Sequence, residues 1–143
     1  MILQVKIKKT HTEAVTPKYA KPGDAGMDLT AVSLEVLENG NHVYDTGLAF
    51  EIPVGYVGLV FPRSSVSKKD LLLTNSVGVI DSGYRGSVKA VFIPTDQEEL
   101  NRYSPGERIC QMIIMPYPAI SFKEVQELSV TERSTGGFGS TGN

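Results

Sequence analysis

Short apolar–polar alternations, each closed by a glycine, proline or asparagine, run through almost the whole chain. Alternation with a period of two puts every second side chain on one face, as a strand with one buried and one wet side requires. Residues 1–8 place Met1, Leu3, Val5 and Ile7 on one face and Gln4, Lys6 and Lys8 on the other. Residues 25–33 (AGMDLTAVS) resume this character, with Asp28 inside it, after a loop at 17–24 that holds two prolines and a glycine. Residues 34–37 and 43–45 flank an Asn39-Gly40 pair, a hairpin signal. Leu48, Phe50 and Ile52 alternate up to Pro53, and residues 56–61, 108–116 and 119–125 are further strands. Residues 65–72 suit two turns of helix, and 97–101 one turn within the polar loop 94–106. The longest stretch free of proline and glycine, 119–135, leaves a helix open as an alternative there. Such a pattern predicts an all-β sandwich or barrel, in one domain of 143 residues.

The stretch at 75–92, NSVGVIDSGYRGSVKAVF, reads as two strands, 77–81 and 87–92, joined by a Ser-Gly turn. Val77 and Val79 alternate on one arm, Val88, Ala90 and Phe92 on the other. Gly78, Gly83 and Gly86 leave the backbone open to a flat ligand. Asp81 stands at the end of the first arm and Tyr84 at the bend. An Asp so placed can act as a general base on water, or can cap the turn through its own backbone.

The formal charge of −2 and the scattered lysines and arginines offer no broad footprint for nucleic acid and no polybasic membrane patch. No apolar run approaches membrane-spanning length, and the alternation at the N-terminus differs from a signal-peptide core. The expectation is a soluble, cytoplasmic protein. The single cysteine, Cys110, lies in the apolar run 109–115 and reads as a buried thiol. Two histidines and one cysteine give no zinc cluster.

Residues 133–143, RSTGGFGSTGN, are too polar and glycine-rich for a core strand. As a flap that is mobile when empty, this segment would supply backbone N–H groups and hydroxyls to an anion. Arg133 would add charge and Phe138 a flat face. As a frayed terminus it would do nothing. It is not a phosphate loop of the Walker type, since no lysine follows its glycines.

Five stretches, AGMDL at 25–29, PRSS at 62–65, NSVGVIDSGYRG at 75–86, GERICQMI at 106–113 and RSTGGFGSTG at 133–142, resemble in order and spacing the five motifs of the trimeric dUTP diphosphatases, the dUTPases. The resemblance covers essentially the whole chain. It implies a distorted jelly-roll β-barrel with a flexible C-terminal flap, and a homotrimer whose three active sites are shared between subunits. It implies Mg²⁺-dependent hydrolysis of dUTP to dUMP and pyrophosphate by water attack on the α-phosphorus, which keeps uracil out of DNA and supplies dUMP for thymidylate synthesis.

By resemblance, Asp81 is the base for the attacking water. Arg63, Ser64, Ser65, Gln111 and Arg133 meet the triphosphate, joined by Ser140 and Thr141, and Asp28 touches Mg²⁺ through a coordinated water. Asn75 and the backbone around Val77, Gly78 and Ile80 bond the uracil edge, with no room for thymine's methyl group. Tyr84 packs under the deoxyribose and Phe138 stacks on the uracil. These roles suit the chemistry: a departing polyanion needs gathered positive charge and donors, and Mg²⁺ keeps its waters. From the residues alone, Gln111 also reads as an ordinary outward strand residue, and Asp28 as a partner of Arg63.

Three positions depart from the family pattern: Met27 where Tyr is usual, Ser65 where Gly is common, and Ser134 where Gly usually follows the Arg. None removes a proposed catalytic group; Ser65 adds a hydroxyl near the phosphates. The rival reading of a dCTP deaminase on the same fold needs a Glu on the second arm, at the position of Val91. A non-catalytic nucleotide-sensing or protein-binding module on the same fold is the rival from another class; intact Asp81, Arg63, Gln111 and Arg133 speak against a dead enzyme and leave a second, regulatory role open.

Overall fold

The computed structural model describes residues 2–96 and 101–139. Met1, part of the turn expected at 97–101, and Ser140 and Thr141 of the expected flap lie outside the described residues. Ten strands and one short 3₁₀ turn are described: β1 (Lys6–Lys9), β2 (Met27–Thr30), β3 (Ser33–Val36), β4 (His42–Asp45), β5 (Leu48–Glu51), β6 (Tyr56–Pro62), the turn Ser64–Lys68, β7 (Leu71–Leu73), β8 (Gly78–Ile80), β9 (Lys89–Pro94) and β10 (Arg108–Pro116). All described pairings are antiparallel. One four-stranded sheet has the order β2-β10-β6-β8, a second the order β3-β4-β9-β7, and β1 pairs with β5.

The all-β expectation holds, with open sheets rather than one closed ring of ladders. The run 25–33 divides into β2 and β3, which enter different sheets, because the chain turns a corner at Ala31 and Val32. The Asn39-Gly40 turn forms, closed by the Leu37 N–H donating to Asn41 O at 2.9 Å. Three local expectations fail. Of the strand expected at 1–8 only the end forms, as β1, with Ile2 and Leu3 exposed ahead of it. The helix expected at 65–72 is only the 3₁₀ turn, after which Leu71 and Leu73 alternate into the core as β7. Past Pro116 the described chain forms neither strand nor helix. Its apolar residues, among them Ile120, Phe122, Leu128 and Val130, stand exposed.

Between the two large sheets lies a core of Leu29, Leu48, Val60, Leu71, Ile109 and Met112 around three aromatic rings. Tyr44 meets Phe92 and Tyr103 edge-on at 5.7 and 6.3 Å between centroids, contacts worth about 0.5–1.5 kcal/mol each beyond area burial. The Tyr44 hydroxyl donates to Tyr103 O at 2.8 Å, and burial pushes its pKa up to about 12. Cys110 is fully buried, as expected, with its thiol pushed up to about 12 by desolvation. No helix among the described residues is long and apolar enough to cross a membrane.

Asp45, at the end of β4, shows how one carboxylate pins the start of β9. Burial raises its pKa, but donation from Ser87 Oγ, donation from the Gly47 N–H at 2.8 Å and the Lys89 ammonium at 3.6 Å outweigh burial and hold it below the usual Asp value. A depressed folded-state pKa gives stability that is present above the unfolded value, near ~3.9, and is lost as pH falls through the folded value. The parent should therefore lose stability more steeply than Asp45→Asn as pH is lowered from about 5 to about 2. Urea titrations across that range check this; parallel losses would remove Asp45 from the acid response.

Candidate active site

Residues of the 25–29, 62–65 and 106–113 motifs meet at one end of the β2-β10-β6-β8 sheet. Register places Gln111 opposite both Asp28 on β2 and Phe61 on β6. Asp28 accepts from Arg63 Nε at 2.6 Å on one oxygen and from Arg108 Nη1 at 3.0 Å on the other. Arg63 Nη1 donates onward to Ser65 Oγ at 3.0 Å. Gln111 is no idle outward residue, because its Nε2 donates to Pro62 O at 3.0 Å. Gly26 makes room for it: a Cβ there would stand 2.5 Å from Gln111 Oε1. A cleft of about 390 Å³ opens beside these groups, lined by Asp28, Gln111, Gly26 and Lys18. Ser64 is exposed at the start of the 3₁₀ turn.

Arg108 and Tyr103 belong to this corner and escaped the reading of the sequence. In a regular strand Arg108 and Gln111, three residues apart, face opposite ways. A register shift between Arg108 and Cys110 puts both on one face, where Arg108 reaches Asp28 and Gln111 reaches Pro62 O. The signal available was the Arg of GERICQ, a charge at a strand entry near a predicted carboxylate.

The 75–92 stretch departs from the hairpin expected of it. Its arms do not pair with each other: β8 pairs with β6 and β9 pairs with β4 and β7. Alternation reveals that each arm is a strand but not which sheet takes it. The two arms diverge around a slot of about 170 Å³, lined by Asn75, Gly78, Val79, Ile80 and Lys89 to Val91. That is below the roughly 300–1,000 Å³ of pockets that enclose whole small ligands, and suits one flat ring. β8 is an edge strand, so its second row of backbone donors and acceptors faces this slot. No carboxylate lines it; Val91 offers a carbonyl that already accepts from the Thr74 N–H and hydroxyl.

Asp81 follows β8 and lines a neighbouring hollow of about 210 Å³ with Ile80, Tyr84 and Lys89. Its carbonyl, not its side chain, closes the turn by accepting from the Tyr84 N–H at 3.1 Å. The carboxylate is exposed and has no partner among the described residues. Tyr84 lies folded back, its hydroxyl donating to Ser87 O at 3.1 Å, and any side chain at Gly86 would collide with its ring. Val77 and Ile80 are half-buried beside it.

These two clusters do not meet within the chain. β6 pairs Gly58 with Ile80, so Asp81 lies toward the start of β6, whereas Arg63 follows its end. At about 3.3 Å per residue the offset is about 20 Å along the sheet. Arg63 leans toward β2, three inter-strand spacings, about 14 Å, from β8. Arg133 and Phe138 reach neither cluster: Arg133 Nε donates to Gly136 O at 3.1 Å and Phe138 is wholly exposed.

A family model for dUTPase matches residues 12–142. The chain belongs to the dUTPase family. It is 40% identical over 143 residues to the deoxyuridine 5'-triphosphate nucleotidohydrolase of Clostridium acetobutylicum, covering 99% of this chain and 98% of that one. It is 38% identical to that of Streptomyces coelicolor over 98% of this chain and 78% of the relative. Among solved structures, a variant dUTPase of Staphylococcus bacteriophage 80alpha with dUpNHpp superposes with a TM-score of 0.83 at 30% identity, covering 98% of this chain and 99% of that chain. A variant dUTPase from phage phi11 of S. aureus, solved with a structural Mg(II) ion, gives 0.73 at 26% identity over 87% of this chain and 98% of that chain.

The carboxylate between two guanidinium groups makes this dUTPase corner sensitive to charge removal. Asp28→Ala leaves Arg63 and Arg108 facing each other and should destabilise by about 1–3 kcal/mol, with most of the loss recovered when Arg63→Met is added. Chemical denaturation of the single and double variants checks this; simple additivity would show that the pair carries no coupling.

Proposed function

We propose that this chain hydrolyses dUTP to dUMP and pyrophosphate in the cytoplasmic nucleotide pool, as one subunit of a homotrimer with shared sites. A free carboxylate in a hollow that shares Val79, Ile80 and Lys89 with a one-ring slot carries the reading. The slot offers uracil an unpaired strand edge around Val77, Gly78 and Ile80 together with the Asn75 amide. A 5-methyl group would run into that backbone wall. Cytosine reverses the donors and acceptors, leaving buried groups unpaired at about 1–3 kcal/mol each. Tyr84, held back over Gly86, lies where a deoxyribose passes and crowds a 2′-hydroxyl.

Asp81 takes a proton from a water whose oxygen bonds to the α-phosphorus. The bond from that phosphorus to the bridging oxygen breaks, and its electron pair leaves with pyrophosphate. Arg63, Ser64, Ser65 and Gln111 donate to the phosphates from one subunit. Arg133, Ser140 and Thr141 donate from the C-terminal flap, and Phe138 covers the base. No three His, Cys, Asp or Glu side chains converge among the described residues, which fits a Mg²⁺ held chiefly by the phosphates. Asp28 keeps lone pairs for a water of that ion while its oxygens accept from Arg63 and Arg108. When bound, the ion would offset phosphate charge.

Sharing is supported by the separation of the two clusters and by the unpartnered C-terminal arm. An exposed row of apolar side chains marks a surface meant for another chain. A three-fold ring lets one subunit's Arg63 corner, the next subunit's Asp81 slot and an adjacent arm close on one substrate.

Mg²⁺-dependent pyrophosphate release from dUTP should far exceed that from dCTP, dTTP or UTP. Comparable turnover of dTTP would sink the slot assignment, and ammonia from dCTP would indicate a deaminase. Sharing predicts complementation. Asp81→Asn should lose ~10²–10⁴-fold in turnover while still binding dUTP, and a variant lacking residues 133–143 should be inactive. Co-refolded mixed trimers, confirmed by native mass spectrometry, should regain activity at junctions where an intact Asp81 meets an intact arm. Mixed trimers as inactive as their parents would place each arm on its own subunit.

A further inference from the structure

We infer that Tyr103 is a positioning residue for the phosphate corner: it donates to Ser65 Oγ and thereby turns the Ser65 hydroxyl hydrogen outward, as an additional donor to a bound phosphate. The inference rests on the reading of the Arg63 corner as phosphate-binding.

Ser65 Oγ stands 3.0 Å from Arg63 Nη1 and 3.0 Å from Tyr103 Oη. A guanidinium only donates, so one lone pair of the serine oxygen is taken. The Tyr103 hydroxyl decides the rest. Tyr103 is 2% exposed, and among the described residues Ser65 is its hydroxyl's one hydrogen-bond partner. If Ser65 donated inward, the buried phenol hydrogen would have no acceptor, which disfavours that arrangement by about tenfold or more. With Tyr103 donating, both serine lone pairs are filled from within and its hydrogen has nowhere to go but outward.

The phenol is well fixed for this task. Its ring is tilted against Phe92 at 6.0 Å and edge-on to Tyr44 at 6.3 Å. The Lys69 ammonium lies over it at 4.8 Å while donating to Arg102 O at 2.9 Å. Arg102 in turn donates to Asp70 O at 2.6 Å and to Asp96 at 2.7 Å. The core thus holds the Tyr103 hydroxyl, the hydroxyl sets the Ser65 rotor, and the same serine steadies Arg63.

The test uses full-length Tyr103→Phe, Ser65→Ala, Ser65→Thr and the double variant Tyr103→Phe/Ser65→Ala. Tyr103→Phe is expected to raise KM for dUTP about three- to tenfold while changing kcat less than about twofold, the size of one weakened donor to an anion. Ser65→Ala should behave alike, Ser65→Thr, which keeps the hydroxyl, should lose less than Ser65→Ala, and the double variant should be no worse than Ser65→Ala. Binding of inorganic triphosphate, followed by calorimetry, should show the same non-additivity without turnover. If the parent does not hydrolyse dUTP, the substrate assignment fails while the triphosphate series still decides this inference. Multiplying effects in the double variant, or a kcat loss with KM unchanged, would overturn it. Should Tyr103→Phe fail to fold, equal KM or triphosphate affinity for Ser65→Ala and Ser65→Thr would overturn it as well.

Discussion

The carboxylate of Asp28 is where three strands are tied into one functional corner. Arg63 follows β6, Arg108 opens β10 and Asp28 lies on β2, so one anion between two cations fixes three backbones relative to one another. All three groups are partly screened by solvent, so the direct Coulomb gain is modest. The greater effect is on geometry: with one carboxylate shared, the guanidinium of Arg63 is held in one orientation. The bulge in β10 is what permits this. Without its register shift, Arg108 and Gln111 would lie on opposite faces and the corner would lose one of them.

At the other end of the same sheet the arrangement depends on a pairing that is missing. Two adjacent strands that bonded to each other would leave no slot and no free edge. Because β8 and β9 go to different sheets, the backbone of β8 keeps one row of polar groups unspent, facing a cavity instead of a neighbour. The same divergence leaves Asp81 projecting from a turn that its own carbonyl closes, so the carboxylate carries no structural duty.

Much of this was legible in the residues. The alternations at 48–52, 56–61 and 108–116 and the Asn39-Gly40 turn all correspond to observed strands or turns, because local period and turn chemistry are encoded locally. The motifs around Asp28, Arg63 and Gln111 likewise pointed to residues that the structure gathers. What escaped depends on distant partners. The sequence of 75–92 looks like a hairpin whichever sheets its arms join. Residues 65–72 suit a helix in the sequence because Leu71 and Leu73 reveal their alternation only once a core stands behind them. The segment past Pro116 alternates well enough for a strand, yet no described sheet edge receives it. Arg108 and Tyr103 went unnoticed since their roles arise from a bulge and from a packed ring, neither of which has a one-dimensional signature.

Cys110 sits one residue before Gln111, on the opposite face of β10, sealed in the core with a thiol whose proton is held to about pH 12. It is chemically silent while the sheet is intact, since neither thiolate nor access is on offer. Any reagent that captures it must wait for β10 to part from β2 and β6. The rate of capture is therefore a native clock for the opening of the very strand that carries Gln111 and braces Arg63. It would report, without any added probe, how firmly β10 is held between its two neighbours.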